Sequence, residues 1–440
     1  MRIRADKNIT MTTNFEFSKN FMWGAATSSH QVEGNNVNND WWQWEQNGKV
    51  KERSGSACDH WNRYREDFRI AKSLNHNAHR FSLEWSRIEP HEGQFNDAAI
   101  IHYREVIESL RSLGLEPVVT LHHFTLPVWL SQKGGWLFEG APDLFARYVR
   151  KVVEELGEHV RYWITLNEPV AYVFKGYLMG EWPPGEKSYE KTLKALSHLL
   201  KGHVLAYDSI KEVNRKLKRS SAQVGIAKHV LIFTPCSPKS WKDRLSVSLR
   251  NAMFNHLFIK ALIRGRIFYP GLFRIRLPKA KTLDFIGLNY YTRDFVHNEG
   301  FQIPAIFGDI CTLKHHRNVG KRNFLSWEIY PQGLYQLVKE FSQYKLPLLI
   351  TENGVCIEHD AERFEFVKSH LIQLTRAMKE GAKVIGYLYW SLLDNYEWAE
   401  GYGPRFGLIE VDYETQSRKI RDSGKQFAEI CRSGQISGEE

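Results

Sequence analysis

The stretch Leu349-Ile-Thr-Glu-Asn-Gly354 joins a short apolar run to a glutamate and a turn signal. A second stretch, Trp163-Ile-Thr-Leu-Asn-Glu-Pro169, has the same layout. Short apolar runs bounded by Gly or Pro predict buried strands, and a carboxylate at the edge of such a strand is costly unless it is paired or used. We therefore expect Glu352 and Glu168 to stand at the carboxyl ends of two buried strands.

The same strand pattern recurs along the chain and alternates with amphipathic stretches of helical period. This alternation is typical of βα units around a parallel sheet. Eight units can be counted in the sequence, which predicts the α/β class and a single (β/α)8 TIM barrel. The predicted strands are Phe21–Thr27, Ala78–Trp85, Leu115–Leu121, Tyr162–Leu166, Val224–Val230, Phe285–Tyr290, Leu348–Thr351 and Val384–Trp390.

No Gly-, Ser- or Pro-rich linker divides the 440 residues, so one barrel domain is expected over residues 14–432. Residues 1–13 are expected to be a disordered extension, and residues 433–440 a flexible tail. The segment Arg293–Arg322 is expected to be an extended loop, since loops of that length in compact domains are usually functional or mobile. The last helix is expected to begin near Ser417.

Composition and charge limit the classes of protein. A chain with 42% hydrophobic and 25% charged residues has an ordinary globular balance. The net charge of +10 raises the alternative of an anionic partner, but the basic clusters form no long run and no recognised nucleic-acid motif. We expect these clusters to be solvated faces and expect no nucleic-acid partner.

Cofactor, metal and membrane signals are missing from the sequence. Five scattered cysteines without CxxC spacing indicate neither a disulfide framework nor a zinc site. We find no phosphate-binding loop, no strand-linked GxGxxG and no HExxH, and His122 and His123 should point to opposite faces of their strand. No stretch has the apolar length of a signal sequence or a membrane span. The sequence predicts a cytoplasmic protein with no cofactor, no metal and no membrane contact.

The two glutamates follow the fourth and seventh strands, which are nearly opposite in an eight-stranded barrel. Catalytic groups of such barrels lie at the carboxyl ends of the strands, so the carboxylates can face each other across the axis. This favours glycoside hydrolysis, with retention if the carboxyl groups are about 5 to 5.5 Å apart. Ionised Glu352, supported by Arg80, is expected to raise the pKa of Glu168. Glu168 would then act as general acid and base, and Glu352 as nucleophile.

Longer motifs surround these strand ends. They are Phe21-Met-Trp-Gly-Ala-Ala-Thr-Ser-Ser-His-Gln-Val-Glu-Gly34, Thr165-Leu-Asn-Glu-Pro169, Asp284-Phe-Ile-Gly-Leu-Asn-Tyr-Tyr291, Thr351-Glu-Asn-Gly354 and Trp390-Ser-Leu-Leu-Asp-Asn-Tyr-Glu-Trp398. With these motifs in this order, the chain resembles glycoside hydrolase family one, the β-glucosidase and β-galactosidase family, from about Phe15 to Cys431.

The resemblance implies a retaining enzyme that removes β-linked glucose, and galactose or fucose, from small β-glycosides and oligosaccharides. It implies the same roles for Glu168 and Glu352 as the reasoning above. Arg80 and Tyr291 would position Glu352, Asn167 would contact the sugar 2-hydroxyl, and Trp390 would form an aromatic floor. The residues implied to bind the sugar are Gln31, His123, Asn167, Asn289, Tyr291, Trp390, Glu397 and Trp398.

The chain departs from the family pattern in the walls of this site. It reads His123-Phe-Thr-Leu-Pro127 where relatives often have His-Trp-Asp-Leu-Pro, and Val170 replaces a frequent tryptophan. Trp182 and Trp327 are candidates to replace the missing rings. Relatives that cleave 6-phosphorylated sugars have serine where this chain has Glu397, whose charge would repel a phosphate. An unphosphorylated sugar is therefore favoured, with a mild preference for glucose over galactose.

Two alternatives stay open on the sequence alone. One is a barrel that binds sugars without cleaving them, against which both glutamates argue. The other is an anion-binding protein driven by the positive charge, which predicts steeply salt-dependent retention on heparin or nucleic acid.

Overall fold

A closed barrel of eight parallel strands forms the centre of the chain in the computed structural model, which describes residues 12–269, 273–298, 309–311 and 319–439. The strands are β1 (Thr12–Glu16), β2 (Met22–Ala26), β3 (Ala78–Ser82), β4 (Glu116–His122), β5 (Tyr162–Asn167), β6 (Gln223–Pro235), β7 (Arg266–Tyr269), β8 (Phe273–Arg276), β9 (Ile286–His297), β10 (Asp309–Ile310), β11 (Leu348–Asn353), β12 (Val384–Trp390), β13 (Ile409–Val411), β14 (Arg418–Ile420) and β15 (Gln435–Glu439).

The barrel strands follow each other in the order β2, β3, β4, β5, β6, β9, β11 and β12, and β12 pairs in parallel with β2 to close the ring. Inside the ring, each barrel strand contributes one side chain to a buried apolar layer, except that β9 is represented by Phe285, the residue directly before it. The layer consists of Met22, Ala78, Val118, Ile164, Ala227, Phe285, Leu349 and Leu388. This layer fills the lower barrel, so polar groups can gather only above it, at the carboxyl ends of the strands.

Helices connect the barrel strands, and the longer ones pack on the outer surface of the barrel. The helices are α1 (Ser29–Val32), α2 (Asp40–Gln46), α3 (His60–Ser73), α4 (Trp85–Ile88), α5 (Asp97–Ser112), α6 (Val128–Gln132), α7 (Ala141–Leu156), α8 (Pro169–Val173), α9 (Tyr189–Lys216), α10 (Trp241–Arg250), α11 (Leu257–Arg264), α12 (Gln332–Phe341), α13 (Asp360–Lys379) and α14 (Asp422–Ser433).

The helix pattern follows from local sequence. On α5 the buried positions Ile100, Tyr103, Ile107 and Leu110 recur at helical spacing, which turns one apolar stripe toward the barrel. The Asn96 side chain accepts the Ala98 backbone N–H at 3.0 Å and so caps the first turn of this helix.

The predicted α/β class and (β/α)8 barrel are confirmed, and each predicted barrel strand overlaps an observed one. Two strands extend beyond the prediction, because β6 continues to Pro235 and β9 to His297, where they pair in parallel above the barrel rim. The expected loop over Arg293–Arg322 is therefore wrong at 293–297 and at the short strand β10. Its parts at 299–308 and 312–318 lie outside the described residues.

The chain ends also differ from expectation. The tail expected to be flexible over 433–440 contains β15, which pairs antiparallel with β1 from Thr12↔Glu439 to Glu16↔Gln435. Most of the extension expected over 1–13 lies outside the described residues. The last helix begins at Asp422 and not near Ser417, because Arg418–Ile420 pairs with β13 as a strand. Among the described residues, no helix has the length and apolar character needed to cross a bilayer.

Candidate active site

Glu352 lies near the end of β11 and is 4% exposed. The Arg80 guanidinium of β3 contacts its Oε1 and also donates to Asn167 Oδ1 at 2.6 Å. The Tyr291 hydroxyl of β9 donates to Oε2 at 2.5 Å. Burial raises the pKa of Glu352 to about 7; the charge of Glu168 adds to this rise, while Arg80 and Tyr291 oppose it. Both oxygens of Glu352 thus face donors that favour the ionised form.

Glu168 follows β5 and stands at the N-terminus of α8 with φ at 45°, in the left-handed region. A non-glycine residue rarely takes this conformation, and such residues cluster at functional sites. Pro169 can follow because the first turn of a helix needs no proline N–H. The Asn289 amide of β9 donates to Glu168 Oε1 at 2.8 Å, and His229 Nδ1 of β6 lies 3.2 Å from Oε2.

The pKa of Glu168 does not follow the sequence-based expectation. Burial raises it, but the charge and hydrogen bond of His229, the Asn289 amide and the charge of Lys228 together outweigh burial and lower it. The expectation of a raised pKa is wrong for the free protein, because it left out His229 and Lys228. The two glutamates interact, so their protons leave in steps that belong to the pair.

Lys228 and His229 are functional candidates that the sequence analysis missed. Lys228 is buried, its Nζ lies 4.4 Å from the centre of the Phe254 ring, and burial lowers its pKa to about 7. Its charge therefore changes near neutral pH, beside Glu168. In the sequence, Lys228 and His229 stand out as a polar pair inside the otherwise apolar predicted strand Val224–Val230.

Asn167 and His123 connect the two glutamates to the rest of the site. Asn167 Nδ2 lies 3.1 Å from His123 Nε2, and Asn167 Oδ1 accepts from Arg80 and, at 3.1 Å, from Asn289 Nδ2. Burial holds the pKa of His123 well below its usual value, so the ring is neutral. His122 points away from the site and accepts from Trp136 Nε1 at 3.3 Å, as predicted from the strand period.

Gln31 and Glu397 form a second polar pair. Gln31 lies on α1, directly after the first barrel strand, and its Nε2 donates to Tyr396 O at 2.9 Å and to Glu397 Oε2 at 3.2 Å. Burial, together with the charges of Glu352 and Glu168, raises the pKa of Glu397 to about 8. The nearby indole of Trp390 opposes this rise in the pKa. This network holds one amide and one carboxyl group side by side.

Aromatic rings border these polar groups. His123 stacks on Trp390 with an interplanar angle of 23° and on Trp398 with one of 15°. Phe124 contacts both Trp398, at 5.1 Å between ring centres, and Trp182, at 4.9 Å. The Phe124 and Trp398 backbones have φ values of 75° and 50°. Phe124 is smaller than the tryptophan that relatives often have at this position. Trp182 packs against Phe124 and so adds a second ring to this wall of the site.

Trp327 borders the opposite part of the site. Its ring lies 5.5 Å from Tyr291 and 6.3 Å from Phe406. It thus packs against the tyrosine that holds Glu352. Of the candidate residues named from the sequence, Arg80, Asn289 and Tyr291 lie within barrel strands, Asn167, Glu352 and Trp390 lie at or near strand ends, and the others lie in the segments after the strands.

Comparison with known proteins agrees with this geometry. The model described as Glycosyl hydrolase family 1 matches residues 13–435. The chain belongs to this family. A solved β-glycosidase from Pyrococcus horikoshii is 42% identical, superposes with a TM-score of 0.89, and the match covers 96% of each chain.

Two curated relatives cover almost the whole chain. Beta-glucosidase A of Thermotoga maritima is 34% identical, with 95% of this chain and 98% of that protein covered. A beta-galactosidase of Pyrococcus woesei is 31% identical, with 96% and 98% covered. The resemblance to family one is confirmed, as is the expected class of retaining glycosyl hydrolase.

Proposed function

We propose that this family 1 chain hydrolyses terminal β-linked glucose, and also galactose or fucose, from small glycosides and oligosaccharides, with Glu352 as nucleophile and Glu168 as acid/base. The single observation that carries the assignment is the asymmetry of contacts around the two buried carboxyl groups. Glu352 faces Arg80, which can only donate, and the donating Tyr291 hydroxyl. Glu168 instead faces His229 Nδ1, which in a neutral ring can accept a hydrogen bond from the protonated carboxyl group.

The productive form of the pair holds one proton, and this proton is on Glu168. In the free protein the lowered pKa of Glu168 depends on charge at His229 and Lys228. Loss of the Lys228 proton near pH 7 removes one of these charges and makes protonated Glu168 easier to form. The form with Glu168 protonated and Glu352 ionised is thus one of several protonation states of the coupled pair. A neutral sugar whose groups contact ionised Glu352 favours this state over the others.

The first step forms a covalent sugar ester. A carboxylate oxygen of Glu352 attacks the anomeric carbon, and the bond from that carbon to the glycosidic oxygen breaks. Glu168 gives its proton to this oxygen, so the aglycone leaves as an alcohol. Consumption of the Glu352 charge then lowers the pKa of Glu168, because a neighbouring negative charge no longer opposes its ionisation.

The second step reverses these roles. Water attacks the anomeric carbon and gives one proton to ionised Glu168, while the ester bond to Glu352 breaks. Two inversions leave the sugar with its original β configuration. Contacts with Arg80 and His123 hold Asn167 in position, which supports the proposal that it bonds the sugar 2-hydroxyl, where hydrogen bonds strengthen in the transition state.

Gln31 and Glu397 are proposed to bind neighbouring hydroxyl groups of the sugar. Burial raises the pKa of the Glu397 carboxyl group because its ionised form is poorly solvated. A sugar hydroxyl that donates a hydrogen bond to this ionised form would stabilise it. Trp390, Trp398 and His123 offer flat faces to the C–H surface of a pyranose. Relatives named β-glucosidase and β-galactosidase support a site that accepts both sugars.

A cytoplasmic location is also proposed. All five cysteines lie within the described residues, and none of them is joined in a disulfide. Thiols of this kind suit a reducing compartment, since disulfides form and persist mainly in oxidising ones.

The test is a kcat/KM panel over p-nitrophenyl β-glucoside, β-galactoside, β-fucoside and β-mannoside, with cellobiose, laminaribiose and lactose. We expect hydrolysis of the glucoside with a β-configured first product by NMR. Failure to cleave any of these substrates, combined with measurable sugar binding, would leave the non-hydrolytic barrel as the better reading. An α-configured first product would exclude the double displacement.

A further inference from the structure

A second cluster of reactive side chains lies above the barrel rim, outside the carboxylate site. Cys236, His297 and Cys311 each offer one ligand atom, and these atoms all lie within 4.8 Å of one another. The Cys236 and Cys311 thiols are in hydrogen-bond contact. All three side chains are partly buried.

Strand register brings these three residues to one face. Pro235 pairs with Val296 in the parallel β6–β9 ladder, so Cys236 lies beside His297. Ile310 pairs with Val296 in the antiparallel β9–β10 ladder, so Cys311 lies beside Phe295. Residues two apart on a strand share a face, and paired residues share it too. The backbone bonds from Cys236 N to Val296 O and from Cys311 N to Phe295 O, both 2.8 Å, hold this alignment.

We propose that Cys236, His297 and Cys311 bind Zn²⁺. Two thiolates and one imidazole form a ligand set that zinc prefers, and a fourth tetrahedral position can be filled by water. Linear spacing predicted no zinc site, because the ligands come from three strands and no two stand in a CxxC motif.

A carboxylate beside the cluster adds to its suitability for a cation. Asp243 on α10 interacts electrostatically with Cys236 and with His297. Its oxygens also accept from Ser237 N at 2.9 Å and Asn298 N at 3.1 Å, next to two of the ligands. These bonds fix a negative charge close to the proposed ion, and a fixed carboxylate near zinc-bound histidine typically strengthens metal binding.

The bound ion would fasten the outer ends of three strands. Cys236 directly follows β6, His297 ends β9 and Cys311 directly follows β10. The same β6 and β9 carry His229 and Tyr291 lower down, where they contact Glu168 and Glu352. The role of the ion is structural support of the rim and not chemistry on the sugar.

Cobalt provides a direct test on the intact chain. The purified protein is reduced, stripped with a chelator and titrated with Co²⁺, followed by competition with Zn²⁺. We expect one Co²⁺ per chain, thiolate-to-cobalt charge-transfer absorption, and displacement of this signal by about one equivalent of Zn²⁺. The thermal midpoint should rise with Zn²⁺ concentration, because the ion binds the folded chain.

Variants separate this site from other thiols. Cys236→Ser with Cys311→Ser should abolish the charge-transfer absorption, whereas Cys431→Ser, a matched loss of a distant thiol, should keep it. His297→Ala keeps both thiols and should weaken Zn²⁺ binding about 100-fold or more. Unchanged binding in these variants overturns the proposal. So does the absence of charge-transfer absorption in the wild-type chain, or a Cys236–Cys311 disulfide found by mass spectrometry in the untreated protein.

Discussion

Replacing Tyr291 by phenylalanine should shift the pH at which the enzyme loses activity on the alkaline side. The Tyr291 hydroxyl donates a 2.5 Å bond to Glu352 Oε2 in a buried site. A hydrogen bond to a charged group contributes about 1.5–3 kcal/mol, and one pKa unit corresponds to about 1.36 kcal/mol. Removal of the donor should therefore raise the pKa of Glu352 by about 1 to 2 units, since only the ionised form loses the bond.

The sign of this shift follows from the role of Glu352. Glu352 has the higher pKa of the pair, so loss of its proton governs the alkaline limb of kcat/KM, and the productive form is the less populated singly protonated one. In Tyr291→Phe the alkaline limb should therefore lie at higher pH than in the wild-type chain. Between the two limbs, kcat/KM should fall about 10- to 100-fold, because the shared proton lies on Glu352 more of the time.

The assay is kcat/KM for p-nitrophenyl β-glucoside over the pH range in which both proteins stay folded. Tyr290→Phe is the matched control, because this neighbouring tyrosine is also buried and donates to Tyr330 O at 2.6 Å, away from the site. The control should keep the wild-type profile. A Tyr291→Phe profile whose alkaline limb stays unmoved would refute the assignment of that limb to Glu352.

Three further predictions concern the other titrating groups. Glu352→Gly should lose turnover and regain it with azide, giving the α-glycosyl azide; a β product would mean that Glu352 and Glu168 have exchanged roles. His229→Ala should raise the pKa of Glu168, the lower pKa of the pair, so the acid limb of kcat/KM should move to higher pH, and a fixed limb would contradict the influence of His229. The pKa of Glu397 is raised from 4.5 to about 8, first by burial, so its contribution to stability is full below about pH 4.5 and is lost as the pH rises through about 8. Glu397→Gln should therefore raise the melting temperature near pH 9 but much less near pH 5, with the more exposed Glu400→Gln as control; an equal change at both values would contradict this.

Much of the barrel was predictable because each of its strands is a short apolar run next to an amphipathic helix. The predicted strand Val384–Trp390 has the observed bounds, and Tyr162–Leu166 ends one residue early. The upper parts of β6 and β9 were not predictable in this way. They leave the barrel wall, are partly exposed at most positions, and are held by pairing with each other.

The residues of the candidate site also divide into those that the sequence predicted and those that it did not. Glu168 and Glu352 could be found because polar residues directly follow apolar strands. Lys228 and His229 lie within a strand, and only the closed ring reveals that His229 faces Glu168. The strand β15 was missed for a related reason, because Gln435–Glu439 is short and polar and takes strand form by pairing with Thr12–Glu16, far away in the sequence.

The β1–β15 ribbon has a practical consequence. β1 precedes the entry of β2 into the barrel, and α14 returns the chain from the catalytic rim before β15 begins. Both ends of the described chain therefore meet on the side opposite Glu168 and Glu352. A support or fusion partner attached at this ribbon would leave the sugar entrance open. A short linker across the ribbon would also allow the chain to be circularised and reopened elsewhere.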